Sequence, residues 1–549
     1  MKRLDSLKLL YYTLFGLLLY FVLVPVISVI LYGVFPVESF HSLRQSLQRS
    51  LPYLQNSLWV AGVVTVLSVL IGLIAAITIN RFHFKGKRLL RYAVLLPLIN
   101  PPFVGSIAFI MLFGKRGLVT HGLLGLSVSP YGWQGIVIMQ TLSLSALAYL
   151  IISSAIVKID PNLEEAARNL GASELQIFKG VTLKMMYPEI STAGVLVFLA
   201  SMADFGTPLI IGGPFHTLAS DLYVQITGVY NMKTAAISGI LLLIPCILLF
   251  FLQRNVIGKN HYYSVSTANT NIIYPHFNRP LRYLFIIITI LYALFVVIKY
   301  LFIIIGAVTK QWGYNYTFTL EHVKTIFAQD YSPFINSIQL AFVVAFVSSI
   351  LGVLLSYMIK RKSYRHQHVV DLLATLPAAV PGILLGIGYL VTFKYPLFGV
   401  GRFWLHSFPS IILLGTGVII YLISIFRYMN VGLRAGYALI QHLNPDIEDA
   451  ARNLGQSENK IFTQIVLPLM YPAFWIAFLK NFSSTMTTLG AIIFLLLPSN
   501  KVAVQQIFQT ITSSATGVAA AMALLLSLTT ALILGVLKFI NQRWMRFES

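Results

Sequence analysis

The chain has 549 residues, 57% of them hydrophobic and 10% charged, with a formal net charge of +22 and a mean hydropathy of +0.80. That balance excludes a water-solvated globular surface and marks an integral membrane protein. Cys246 is the only cysteine, which also excludes a disulfide framework and a thiolate metal cluster.

A hydrocarbon core of about 30 Å takes roughly 20 apolar residues in a helix to cross. Runs of that length predict twelve spans, at 10–33, 57–80, 92–114, 134–157, 190–213, 234–253, 283–308, 337–359, 370–393, 408–428, 474–497 and 516–538. The fold class expected is therefore all-α and multi-pass. The first run is too long for a cleaved signal segment and lacks a small-residue cleavage site, so it reads as a true span. With the N-terminus in the cytoplasm, most of the 39 Lys and Arg fall in cytoplasmic segments, for example Arg81, Lys85, Lys87, Arg88 and Arg91, or Lys360, Arg361, Lys362 and Arg365. This positive-inside bias puts both termini in the cytoplasm and assigns the charge to membrane orientation, not to nucleic acid.

Residues 164–178 read EEAARNLGASELQIF, and 284 positions later residues 448–462 read EDAARNLGQSENKIF. The two islands align without a gap from Asp160–Pro188 to Asn444–Pro472. Weaker matches lie upstream: Asn56-Ser57 with Asn336-Ser337, and LLPLINPPFVG (95–105) with TLPAAVPGILL (375–385). Six spans thus repeat as six spans in the same orientation. The domains expected are 1–253 and 282–549, with polar loops at about 158–189 and 434–473, joined by a cytoplasmic linker at 254–281 that is too short to be a domain.

Each island encodes a compact knob. Asp160 or Asn444 followed by proline starts a short helix, and carboxylates in its first turns suit the positive end of the helix dipole. Gly171 and Gly455 end it in a left-handed turn, and Ser173 with Gln176 reads as a capping box for the next helix. The islands supply no histidine, nucleophile or metal-ligand spacing beside their carboxylates, which argues against catalysis. What remains is a docking surface for a cytoplasmic partner.

EEAARNLGASELQIFKGVTL and EDAARNLGQSENKIFTQIVLP resemble the EAA loop of permease subunits of bacterial ABC importers. The six-plus-six layout on one polypeptide, with ADFGTPLIIGG (203–213), resembles the ferric-iron transporter permease group. Asp449 departs from the motif glutamate, and Lys184 stands where the second copy has Pro468, which predicts a different exit angle for the first loop. The resemblance implies coupling residues Glu164, Glu165, Ala166, Ala167, Gly171, Glu448, Asp449, Ala450, Ala451 and Gly455, docked into clefts of two cytoplasmic ATP-binding subunits. It further implies a periplasmic or lipid-anchored substrate-binding protein and a place in the bacterial plasma (inner) membrane. No G-x-x-x-x-G-K-[ST] phosphate loop occurs in the chain, so ATP and Mg are assigned to the partner ATPase and the chain is expected to be a transport subunit, not an enzyme.

For the substrate path, ionisable or polar residues inside spans are the candidates: Asp204, its counterpart Thr488, and Lys480. Asp204 reads either as a pathway or gate residue or as the cap of a helix broken before Pro208, and Lys480 either as a path residue or as one that snorkels or contacts a neighbouring loop. Lys299 reads as a boundary residue, and His366 and His368 as part of a solvated basic loop. A bare trivalent cation finds little compensation beside one carboxylate, so ferric iron rests on the resemblance alone. Thiamine, phosphonate, a polyamine or an inorganic anion are the alternative cargoes, and a secondary transporter is the alternative class.

Overall fold

The computed structural model describes residues 6–547 except 36–39, 100, 102, 127–129, 255–278, 329, 395–412 and 514. Most of the 254–281 linker therefore lies outside the described residues. In the first half the helices are α1 Ser6–Val34, α2 Phe40–Arg81, α3 Lys87–Leu95, α4 Val104–Phe113, α5 Trp133–Ile156, α6 Pro161–Asn169, α7 Glu174–Ala203, α8 Gly206–Ile211, α9 Leu218–Thr227 and α10 Met232–Leu252. The second half repeats the order with α11 Arg279–Ala307, α12 Ser332–Lys360, α13 Gln367–Ala379, α14 Gly382–Lys394, α15 Val418–Ile440, α16 Asp446–Asn453, α17 Glu458–Leu469, α18 Tyr471–Met486, α19 Ala503–Thr512 and α20 Thr516–Phe547, and adds between α11 and α12 a small antiparallel hairpin, Thr309–Gln311 with Asn315–Phe318, and a short separate helix, Glu321–Ala328.

Among the described residues, nine helices are long and apolar enough to cross a membrane unaided. Two further pairs, α13 with α14 and α17 with α18, qualify together but bend by 111° and 60°. Several expected spans are therefore not continuous rods. The stretch 92–114 divides into α3, a 3₁₀ turn and α4; Phe103 before α4 has φ +74°. In its counterpart Val380 is extended, as the residue before Pro381 must be. The stretch 190–213 breaks at Asp204, and 474–497 loses helix after Met486. The tenth span is displaced from 408–428 to Val418–Ile440, because Arg427, Asn430 and Arg434 lower the apolarity of the true helix.

The first helix of each half crosses to the other half. α1 packs on α14 as well as on α10, and α11 packs on α2, α3 and α4 as well as on α20. Hydrogen bonds set both registers: Tyr389 donates to the Phe21 carbonyl at 2.7 Å, and Tyr300 donates to that of Leu96 at 3.0 Å. Gly388 lets α1 approach so closely that a Cβ there would lie 2.7 Å from the Pro25 carbonyl oxygen. The larger buried apolar cluster consequently runs through both halves.

The repeated Asn-Ser pairs have equivalent structural work. Ser57 accepts from the Leu218 amide at 2.7 Å and Ser337 from that of Ala503 at 2.8 Å, each supplying a partner to the first turn of α9 or α19. Asn56 and Asn336 donate to the loops just before those helices, at His216 and Lys501.

Candidate functional site

Each polar island folds as a short helix, a turn and a second short helix. Asp160 accepts from the Asn162 amide at 3.0 Å and Pro161 leads α6. Gly171 and Gly455 take φ of +85° and +80°, conformations that only glycine adopts cheaply. Ser173 and Gln176 form the reciprocal capping box. The angle between the two helices is braced by Arg168 on Glu174 at 2.8 Å and by Arg452 on Glu458 at 2.9 Å, so the arginine repeated in each island holds its own knob together.

The adjacent carboxylates divide their work. Glu164 is 3% exposed and receives both guanidinium arms of Arg81, at 3.1 and 3.0 Å, with the Thr182 hydroxyl at 2.8 Å. Glu448 is held by Arg361 at 3.4 Å and by the Tyr357 hydroxyl at 3.0 Å. Both face inward, fixing each knob to the C-terminal end of the second span of its half, and present little to a partner. Glu165, Ala166 and Gly171 are exposed on the first knob, and Asp449, Ala450 and Gly455 on the second; Ala167 is half-buried and Ala451 buried. Glu165 makes no ion pair among the described residues, whereas Asp449 is paired with its own Arg452.

The most exposed apolar residues of the knobs are ones the sequence analysis passed over. Leu170 is 88% exposed and Leu454 83%, and Leu163 and Ile447 are exposed beside them. Their signal was present in the recurrence of Leu-Gly in both islands. After the turn, α7 runs unbroken through Pro188, while the second copy bends by 60° between α17 and α18. The second copy carries Pro468 in addition to Pro472, and each proline lacks an amide donor and crowds the preceding turn.

Asp204 lines a cavity of about 240 Å³, together with Pro97, Pro101, Phe103, Gln140, Ser143 and Thr207 among others. Its carboxylate is already well served. One oxygen accepts from the Gly206 and Thr207 amides at 3.0 and 3.1 Å, capping α8. The other accepts from Gln140 at 2.9 Å, and Gln140 accepts from the Ser201 hydroxyl at 2.6 Å. Thr488 is buried away from that cavity and Lys480 lies on an exposed face of α18.

Lys299 corrects its expectation as a boundary residue: it sits within α11, 2% exposed, with no hydrogen bond to its ammonium. Three further residues were missed. Asp371 pairs with Arg254 at 2.7 Å and accepts from Tyr437 at 2.8 Å, tying the end of α10 to the second half. Asp221, expected in an external loop, is buried on α9 and accepts from Gln225 at 3.0 Å. Arg427 lies inside α15. Its charge was legible in the sequence, but the misplaced tenth span set it at a helix end.

Where the halves meet, Phe103, Phe205 and Tyr223 of the first pack with Phe494 and Phe508 of the second. Tyr223 and Phe508, on the equivalent helices α9 and α19, face each other at 5.7 Å. Gly206 and Gly490 accommodate Phe103 and Phe205 respectively.

Residues 68–260 and 348–546 each match the family described as "Binding-protein-dependent transport system inner membrane component". The chain is 30% identical to the ferric transport system permease protein FbpB of Actinobacillus pleuropneumoniae over 85% of its own length and 68% of that protein's. It is 30% identical to the putative ferric transport system permease protein FbpB 1 of Haemophilus influenzae, over 81% of its length and 70% of the relative's. A shorter similarity, 31% identity over 31% of this chain and 77% of the relative, is to the molybdenum transport system permease protein ModB of Escherichia coli. Two family matches that together span most of the chain, on a membrane-spanning fold carrying two equivalent polar knobs, establish that this protein belongs to the binding-protein-dependent transport system inner membrane components, the permease subunits of ABC importers.

Proposed function

We propose that this permease imports ferric iron, delivered by an extracytoplasmic binding protein, by alternating access driven by two copies of a separate ATP-binding subunit that hold the ATP and Mg. The observation that carries the coupling part is the pair of knobs, each anchored to its own half by a glutamate and each presenting an exposed leucine beside a left-handed glycine. Such a rigid apolar tip with an acidic rim suits a cleft on a partner protein. The iron assignment is supported by the two FbpB relatives. Residues 1–253 and 282–549 act as two permease domains with both termini in the cytoplasm, supported by the repeat and the basic residues of the predicted cytoplasmic loops.

The test is affinity purification of the tagged permease from its own membranes, followed by uptake of radiolabelled ferric citrate into cells with and without the gene. Co-purification of an ATPase and gene-dependent iron uptake are expected. Absence of any ATPase would overturn the coupling assignment, and molybdate uptake without iron uptake would overturn the cargo.

A further inference from the structure

We propose that Arg427 is a substrate-binding residue that receives an oxyanionic group of the cargo in the middle of the membrane. The proposal rests on the importer assignment but not on the cargo being iron. Arg427 is nine residues into α15, about 14 Å along the helix. Its guanidinium carries five donors, yet it makes no hydrogen bond or ion pair among the described residues, and Nη1 is enclosed. A charged group inside a span without a partner is costly and points to function.

Neighbouring positions on its own helix and on α18 carry further unpartnered polar groups. The guanidinium lies at the start of α14, where a Cβ on Gly382 would come within 2.4 Å of Nη1. The hydroxyls of Ser424, one turn before Arg427, and of Thr485 on α18 are buried and unpartnered too. The two helices are tied at this level by Tyr428 donating to the Ser484 carbonyl at 3.1 Å.

The comparison between halves identifies what is missing. At the island offset of 284, Ser424, Arg427, Thr485 and Thr488 correspond to Gln140, Ser143, Ser201 and Asp204. In the first half Gln140, Ser201 and Asp204 satisfy one another, and the Asp204 carboxylate accepts from three neutral donors. In the second half Arg427 replaces a serine and Thr488 replaces the carboxylate, so a cation and two hydroxyls stand without an acceptor. Among these matched positions the carboxylate has its hydrogen bonds and the cation has none. A bare ferric ion would be repelled there, whereas anionic oxygens would complete the set. Those oxygens belong either to the ligands of a ferric chelate or to a free oxyanion.

The test uses the intact importer in cells, with radiolabelled ferric citrate and radiolabelled molybdate as probes. Arg427→Gln should reduce uptake of the transported probe by about tenfold or more, the scale of one lost charge-assisted contact, with permease level and ATPase co-purification unchanged. Arg427→Lys should retain much of the uptake. Should Arg427→Gln fail to accumulate, Ser424→Ala, which removes only an unpartnered hydroxyl, should still raise the apparent KM. Wild-type uptake by Arg427→Gln, equal failure of Arg427→Lys and Arg427→Gln at normal assembly, or an unchanged KM in Ser424→Ala would each overturn the proposal. Ferric citrate uptake that depends on Arg427 identifies a chelate. Molybdate uptake that depends on it identifies a free oxyanion, and removes the iron assignment while leaving this one standing.

Discussion

Arg81, the last residue of α2, and Glu164, in the first turn of α6, face each other across 83 positions of sequence with both guanidinium arms on both carboxylate oxygens. Both side chains are buried. Removing one partner of such a pair leaves an uncompensated charge and costs about 3–5 kcal/mol. Arg81→Gln and Glu164→Gln should therefore detach the first knob from the membrane domain, while replacing both residues together should be milder than either alone. Limited proteolysis at 158–182, followed for single and double variants, checks this; a double variant as sensitive as the sum of the singles would refute the pairing's local role.

Leu170 and Leu454 touch little of their own chain, so polar replacements there should leave folding intact. If the knobs dock in ATPase clefts, Leu170→Asp or Leu454→Asp removes an apolar anchor worth about 2 kcal/mol and should weaken ATPase co-purification by roughly thirtyfold, with unchanged thermal stability of the isolated permease. Full assembly by both variants would remove these leucines from the interface.

Charge reversal should distinguish the two knobs. Glu165 has no ion pair of its own among the described residues, so Glu165→Lys places a new charge directly on the rim. Asp449 is paired with Arg452, and Asp449→Lys also repels a residue that braces the turn. Asp449→Lys is expected to lose more of the substrate-stimulated ATPase activity than Glu165→Lys. Equal losses would show that the internal pair is immaterial.

Gly171 and Gly455 have open space where a Cβ would project, so substitutions there act through backbone conformation alone. A β-branched residue held at φ near +80° costs roughly 1–3 kcal/mol. Gly171→Val and Gly455→Val should uncouple ATP hydrolysis from transport while leaving membrane insertion normal. Coupled transport at the wild-type rate in either variant would show that the turn angle does not matter.

Asp204→Asn should lower transport more than Thr488→Val. The asparagine keeps an acceptor for α8 but confronts the Gln140 amide donor with a donor of its own, and Gln140 can turn over only if the Ser201 hydroxyl changes from donor to acceptor. Asp204→Ala also abolishes the cap, at about 1 kcal/mol, and should reduce thermal stability. Lys299→Met is the converse case: exchanging an unpaired buried ammonium for an apolar chain of similar length should hold or raise the Tm. A Tm loss of several degrees would mean that the ammonium is a needed partner.

The sequence by itself determined the elements that depend on local chemistry and repetition. Membrane spanning follows from apolar length, the six-plus-six organisation from two matched islands, and the knob geometry from Asp160, Pro161, Gly171 and Ser173, whose effects act within a few residues. Only the tertiary structure decided what depends on distant partners. Glu164 and Glu165 are identical in type and adjacent in sequence, yet one is buried against Arg81 and the other is exposed, because helical periodicity turns them about 100° apart. Apolar averages located the long helices but not the breaks at Phe103 and Met486, and they displaced the tenth span because Arg427, Asn430 and Arg434 lower the mean apolarity of a helix that packs on α12, α13 and α18. The crossing of α1 and α11 between halves, and the contrast between a satisfied Asp204 and an unsatisfied Arg427, arise from packing across hundreds of residues, which no local pattern encodes.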